Sequence, residues 1–340
     1  MSNAALLSSF VKPGAEGLLS PLLPWLSDSG VSEIMINAPR EVFVEKNGKM
    51  FFQDVPELTP LYLQRLFQMI ANESNQRLDE AHPLLSGNLF NGTRVQLVIP
   101  PVSCHYTLSI RKASVQQLSL NDYEAKGFYH TLLPFHLNDT PKEQDLLAEY
   151  TQGHWDAFIQ RAIALRKNIV ISGGTSSGKT TYLNACLKSI DLNERLILLE
   201  DTRELSVAHP NHVSLIASCG GQGKASIDMQ KLLQATLRLR PDRIIMGEIR
   251  GREIMDFVMA CSTGHEGSIT SIHANNPRIA MQRMVQMYKL NNVPSMRDED
   301  IRRELDSVID IILQVGKTQQ GRAALSCYYK GALSHEKSIL

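Results

Sequence analysis

The stretch that most narrows what this chain can fold into is NIVISGGTSSGKTT, residues 168–181. An apolar run that reads as a buried strand passes without a spacer into glycines, hydroxyl side chains and one lysine. Gly173, Gly178, Lys179 and Thr180 fill the pattern GxxxxGK[ST]. The pattern calls for a strand before it and a helix after it, with backbone N–H groups turned inward around phosphate oxygens at the helix N-terminus. Gly174, Thr175, Ser176, Ser177 and Thr181 complete the cradle, and Lys179 is placed to reach the β and γ phosphates of a nucleotide. Thr180 would set its hydroxyl on Mg²⁺. ATP with Mg²⁺ is therefore the expected ligand.

From residue 141 onward strands and helices alternate: KNIVISG, TTYLNACLKSI, RLILLED, KLLQATLRLR, RIIMGEI, REIMDFVMACSTG and SITSIHA. That alternation predicts a mostly parallel sheet covered on both faces. Before residue 140 the texture differs. EIMIN (33–37), EVFVEKNGKMFF (41–52, with an Asn47-Gly48 hairpin signal) and TRVQLVIPP (93–101) read as strands. Between them, Leu61, Leu63, Leu66, Met69 and Ile70 read as one helix face. The expectation is an α/β chain in two parts: a smaller α+β N-terminal domain over 1–137, a linker at 138–143 within HLNDTPKE, and a P-loop domain over 144–340.

Further carboxylates and imidazoles fall where such a sheet would present them. RLILLEDTREL (195–205) ends a strand in Glu200, Asp201 and Glu204, and RIIMGEIRG (243–251) ends one in Glu248. Strand C-termini of a parallel sheet face the ligand. Glu248, directly after IIMG, is placed for the Mg²⁺ and water side. In TGHEGSITSIHANNP (263–277), His265 and His273 lack the partner spacing of a metal site, and a neutral histidine here suits sensing a γ-phosphate. His209 and His212 read as loop histidines. Met281, Met284 and Met287 read as helix packing.

Charge and cysteine content exclude other classes. Lys plus Arg equals Asp plus Glu, 35 each, so bulk charge does not predict strong direct nucleic-acid binding. Five cysteines with no CxxC pair fit a reduced, cytosolic protein. No apolar run approaches the roughly 18 residues of a membrane span, which leaves peripheral membrane contact open.

GGTSSGKTT, EDTREL, RPDRIIMGEIRG and TGHEGSITSIHA occur in the order of the Walker A, Asp box, Walker B and His box of the traffic ATPases of bacterial secretion. The sequence most closely resembles the branch serving type IV secretion and conjugation. The likeness reaches into the N-terminal part, where GTRVQLVIPP (92–101) and LSIRK (108–112) are similar to segments with nucleotide-contacting arginines. The resemblance implies a RecA-like C-terminal domain, a homohexameric ring, and ATP held between the two domains of one subunit. It implies Glu204 as activator of water, Glu248 as organiser of Mg²⁺, His273 as γ-phosphate sensor, and Arg94 and Arg111 as arginines reaching in from the N-terminal domain. The protein would sit in the cytoplasm at the bacterial inner membrane with other components of a secretion machine, driving substrate transfer or pilus assembly.

Two departures stand out. No paired-CxxC module of the type II secretion ATPases occurs, and GEIRG lacks the aspartate that closes a common form of Walker B. Arg238, Arg240, Arg243 and Arg250 crowd this region without a sequence-level way to say which meets nucleotide. The competing readings are a type II secretion or pilus-assembly ATPase, a DNA-translocating motor, a small-molecule P-loop kinase, and a scaffold that binds ATP without hydrolysing it.

Overall fold

The computed structural model describes residues 16–89, 91–112, 119–132, 141–218 and 224–332. Two sheets organise it. The first is antiparallel throughout, with strand order β3-β2-β1-β6-β5-β4. It is built from β1 (Val31–Ala38), β2 (Glu41–Lys46), β3 (Lys49–Asp54), β4 (Leu84–Asn88), β5 (Arg94–Val98) and β6 (Thr107–Arg111). After a short opening helix α1 (Leu23–Leu26), helix α2 (Pro60–Glu73) joins the core of this domain. Thr59 caps it by accepting from the Tyr62 amide at 3.2 Å, and Pro60 supplies a preset first turn. Leu63, Leu66, Met69 and Ile70 are buried as the spacing predicts, and Phe67 is buried with them. Leu61 is not: it is 58% exposed. Two helical positions before Leu63 correspond to about 200° of rotation, which turns Leu61 to the solvent side.

The expected linker is only partly covered. Residues 138–140 lie outside the described residues, and 141–143 belong to helix α4 (Pro141–Gln152), which follows the short α3 (Leu120–Ala125).

The second sheet has the order β13-β12-β7-β11-β10-β8-β9. Its members are β7 (Ile169–Gly173), β8 (Leu196–Glu200), β9 (His212–Ile216), β10 (Arg243–Met246), β11 (Ile269–Ile272), β12 (Ile311–Thr318) and β13 (Gly321–Tyr329). The strands from β12 to β9 run parallel, and β13 returns antiparallel to β12. Every residue of β7, β8, β10 and β11 is buried, as in a parallel sheet covered on both faces; β7, β8 and β10 are accordingly rich in Ile, Val and Leu, whereas β11 buries Thr270 and Ser271. Helices α4, α5 (Trp155–Ala164) and α6 (Lys179–Leu187) contribute to the core on one face. Helices α7 (Met229–Thr236), α8 (Glu253–Ser262), α9 (Pro277–Lys289) and α10 (Asp298–Val308) build the core on the other. Met281, Met284 and Met287 lie in that second core.

The N-terminal domain closes the free edge of β9. The Ile216 amide donates to the Val102 carbonyl at 2.7 Å, and Val98 and Val102 join the core of the second domain. Beneath them lies a buried polar junction. Arg195 Nη1 donates to Asn37 Oδ1 at 2.7 Å and also to Asn211, and Asn37 Nδ2 donates to Asn211 Oδ1 at 2.9 Å. Burial lowers the Arg195 guanidinium pKa to about 9.

Candidate active site

The phosphate loop lies at the C-terminal edge of the central strand β7, between the helices of both faces. Gly173 has no room for a side chain, since a Cβ would collide with Ser177 Oγ and the Val315 carbonyl. Gly178 adopts φ +96°, a backbone that L side chains rarely take, and this turn starts α6 at Lys179. Ser177 Oγ is buried and has no hydrogen-bond partner among the described residues. An orphaned hydroxyl inside a glycine-built turn fits a phosphate oxygen that the chain itself does not supply. Gly174 and Thr180 are half-buried, whereas Thr175 and Ser176 are exposed on the loop and Thr181 is exposed in the first turn of α6.

Lys179 is 8% exposed. Its Nζ donates to the carbonyls of Gly173 (3.1 Å) and Gly174 (3.2 Å) and lies 3.3 Å from His273 Nδ1. Burial lowers its pKa, against the pull of Glu248. His273 follows β11 and Glu248 follows β10, so adjacent parallel strands deliver them to the same edge. His273 Nε2 lies 3.2 Å from Glu248 Oε1. Burial lowers the His273 pKa more than Glu248 raises it, and Lys179 lowers it further. A neutral imidazole with its proton on Nε2 satisfies both contacts, donating to Glu248 and accepting from Lys179. Arg250 continues the chain, donating to Glu248 Oε2 at 3.0 Å and to Asp201.

Glu204 is exposed on the loop after β8, and its backbone is held from two sides. Glu200, 2% exposed, accepts from the amides of Glu204 (2.8 Å) and Leu205 (2.7 Å). Asn184 on α6 donates to the Glu204 carbonyl at 2.9 Å and accepts from the Ser206 amide at 2.9 Å. Sequence reading missed the positioning roles of Glu200 and Asn184. A carboxylate inside the strand LILLE was the available signal for the first, and nothing marked the second.

Arg94 and Arg111 do not join this cluster. They face each other across β5 and β6 and line a cavity of about 370 Å³ with Asn88, Gln96, Leu237 and Arg238. Leu237 and Arg238 follow α7 and precede β10, so that cavity lies toward the N-terminal edge of the parallel sheet. The phosphate loop lies at the C-terminal edge. The N-terminal domain also sits on β9, four strands from β7, or about 19 Å at ~4.8 Å per strand. One chain therefore does not bring these arginines to its own phosphate loop. Of the other arginines, Arg240 pairs with Glu45 and Asp242, and buried Arg243 with Glu194. Of Arg238, Arg240, Arg243 and Arg250, it is Arg250 that joins the cluster, through Glu248 and Asp201. His265 packs against the Pro241 carbonyl, away from the loop.

Comparison with known proteins fits this geometry. The model of the family described as "Type II/IV secretion system protein" matches residues 18–319. The chain belongs to that family. Within it, the chain is 38% identical over 303 residues to the type IV secretion system protein VirB11 of Brucella suis, covering 87% of this chain and 84% of that one. It is 33% identical over 323 residues to the PtlH homolog of Bordetella bronchiseptica, covering 93% and 95%. The crystal structure of the VirB11 ATPase from the Brucella suis type IV secretion system, in complex with sulphate, superposes with a TM-score of 0.90 over 99% of both chains at 33% identity. Both relatives and the solved structure belong to the type IV side of the family. No helix among the described residues is long and apolar enough to cross a membrane.

Proposed function

We propose that this chain hydrolyses ATP to ADP and phosphate as a homohexameric motor of a bacterial type IV secretion or conjugation system, at the cytoplasmic face of the inner membrane. The observation that carries the hydrolytic reading is the line Lys179–His273–Glu248 at the mouth of the phosphate loop. A protein that only bound ATP would gain nothing from aligning a carboxylate and a neutral histidine there. The two separate sheets support the division into an N-terminal domain (1–137), a linker (138–143) and an ATPase domain (144–340).

In this reading Gly173 to Thr181 wrap the phosphates, and Lys179 exchanges its loop carbonyls for β and γ oxygens. No three carboxylate, thiol or imidazole groups gather to hold a metal unaided among the described residues. Thr180 and Glu248 fit Mg²⁺ bound mainly through phosphate and water. When bound, Mg²⁺ neutralises charge building on the phosphates. Glu204 accepts a proton from water as its oxygen attacks the γ phosphorus and the bond to the β-side oxygen breaks. His273 presents its imidazole to the γ-phosphate and transmits its presence to Glu248. Arg94 and Arg111, too far from their own loop, serve the nucleotide on a neighbouring copy, so the ring is required for turnover.

Phosphate release from mixed assemblies tests this. Lys179→Ala alone and Arg94→Ala/Arg111→Ala alone should each lose nearly all turnover. Mixing the two chains should restore part of it, because some interfaces then combine an intact loop with intact arginines. Turnover of Lys179→Ala within a few-fold of wild type would refute the ATPase site. Failure to recover on mixing, with hexamers formed, would refute arginine donation between copies.

A further inference from the structure

Arg322 lies near the start of β13, directly across the hairpin from Lys317. Its side chain folds back over the phosphate loop. Nε donates to the Ser176 carbonyl at 3.3 Å, and Cδ lies 2.9 Å from where a Cβ on Gly178 would stand. Both cations are exposed, and neither has an acidic partner among the described residues. Like charges placed directly opposite on a hairpin repel, and among the described residues no carboxylate offsets that.

Strand order decides which end of a nucleotide meets Arg322. On one side of β7 lie β11 and β10, which carry His273 and Glu248; on the other lie β12 and β13. Lys179, His273 and Glu248 mark the γ end of the triphosphate. The nucleoside then leaves the loop toward the hairpin. We propose that Arg322 is the nucleoside-binding residue of this site, its guanidinium lying on the purine face of ATP while Nε holds the Ser176 carbonyl. A planar guanidinium stacks on aromatic rings, which a lysine ammonium does not reproduce. Gly178 is part of the arrangement, because any side chain there would displace the arginine stem.

This inference rests on the ATP reading of the loop, and two probes separate the two. Binding of ADP and of inorganic pyrophosphate to the full-length chain is measured by calorimetry for wild type, Arg322→Ala and Arg322→Lys. A stacked cation is worth about 0.5–2 kcal/mol, so Arg322→Ala should weaken ADP roughly two- to thirtyfold and raise KM for ATP by a similar factor. Pyrophosphate affinity should not change, and Arg322→Lys should recover little of the ADP affinity. Equal weakening of both probes would assign Arg322 to the phosphates or to loop shape and overturn the inference. So would unchanged ADP binding. A wild-type chain that binds neither probe would overturn the ATP site itself.

Discussion

Glu33→Gln should stabilise the protein at alkaline pH and do little at acid pH. Glu33 lies on β1, cross-strand from Arg111 on one side and Glu45 on the other, and is 9% exposed. Burial raises its pKa; Arg111, with Nε 3.8 Å away, opposes this, Glu45 adds to it, and Arg240 and Arg195 oppose it more weakly. Glu33 also lines a second cavity, of about 480 Å³, together with Glu45, Arg94, Arg111 and Lys112. The net effect is a carboxyl raised from 4.5 to about 7. Because the folded value is the higher one, the native state holds a proton that the unfolded chain releases between those two pH values. Stability therefore falls as pH rises through that window and levels off above it. At 1.36 kcal/mol per pKa unit, the full loss is about 3 kcal/mol by pH 8 and under about 1 kcal/mol at pH 5. Glutamine keeps the shape without the ionisation, so urea unfolding at a fixed chain concentration should show Glu33→Gln about 3 kcal/mol more stable than wild type at pH 8 and nearly equal at pH 5. A difference independent of pH, or a loss at pH 8, would show that Glu33 is a stabilising ion-pair partner of Arg111 and refute the desolvation argument.

Other outcomes follow from the same contacts. Glu204→Gln should abolish most phosphate release while ATP affinity stays near wild type, whereas Glu248→Gln should also shift the Mg²⁺ concentration needed for half-maximal turnover; identical Mg²⁺ titrations would remove that distinction. Gly178→Ala should weaken ADP binding more than tenfold in calorimetry, since it strains the loop at φ +96° and pushes on Arg322. Asn37→Ala strips a 2.7 Å partner from the fully buried Arg195 and should cost about 1.5–3 kcal/mol in urea unfolding, with an unchanged result excluding the junction as a stabilising contact.

Much of the ATPase domain was legible because its signals are local. GGTSSGKTT needs a strand before it and a helix after it, and both are written within a dozen residues of the loop. Glu248 and His273 were legible as strand-end residues, since a parallel sheet delivers all its C-terminal edges to one side. The edge strand β9 and the hairpin β12–β13 were not read as sheet members. HVSLI alternates buried and half-buried positions and β13 is mostly exposed, so neither carries the apolar run that marked β7, β8 and β10.

Where Arg94 and Arg111 would lie was beyond any local signal. Their strand-end positions were clear, but the edge of the second sheet on which β5 and β6 come to rest depends on Val98 and Val102 entering a core formed more than a hundred residues later. The same holds for Arg322, which meets Ser176 only because β12 pairs with β7 and β13 folds back beside it. The sequence by itself determined the phosphate loop, its helix and the carboxylates at neighbouring strand ends, because backbone preference and burial period act over a few residues. Tertiary structure alone decided which distant cations share that loop, because strand order and domain docking are set by the summed burial of whole faces and no single segment encodes them.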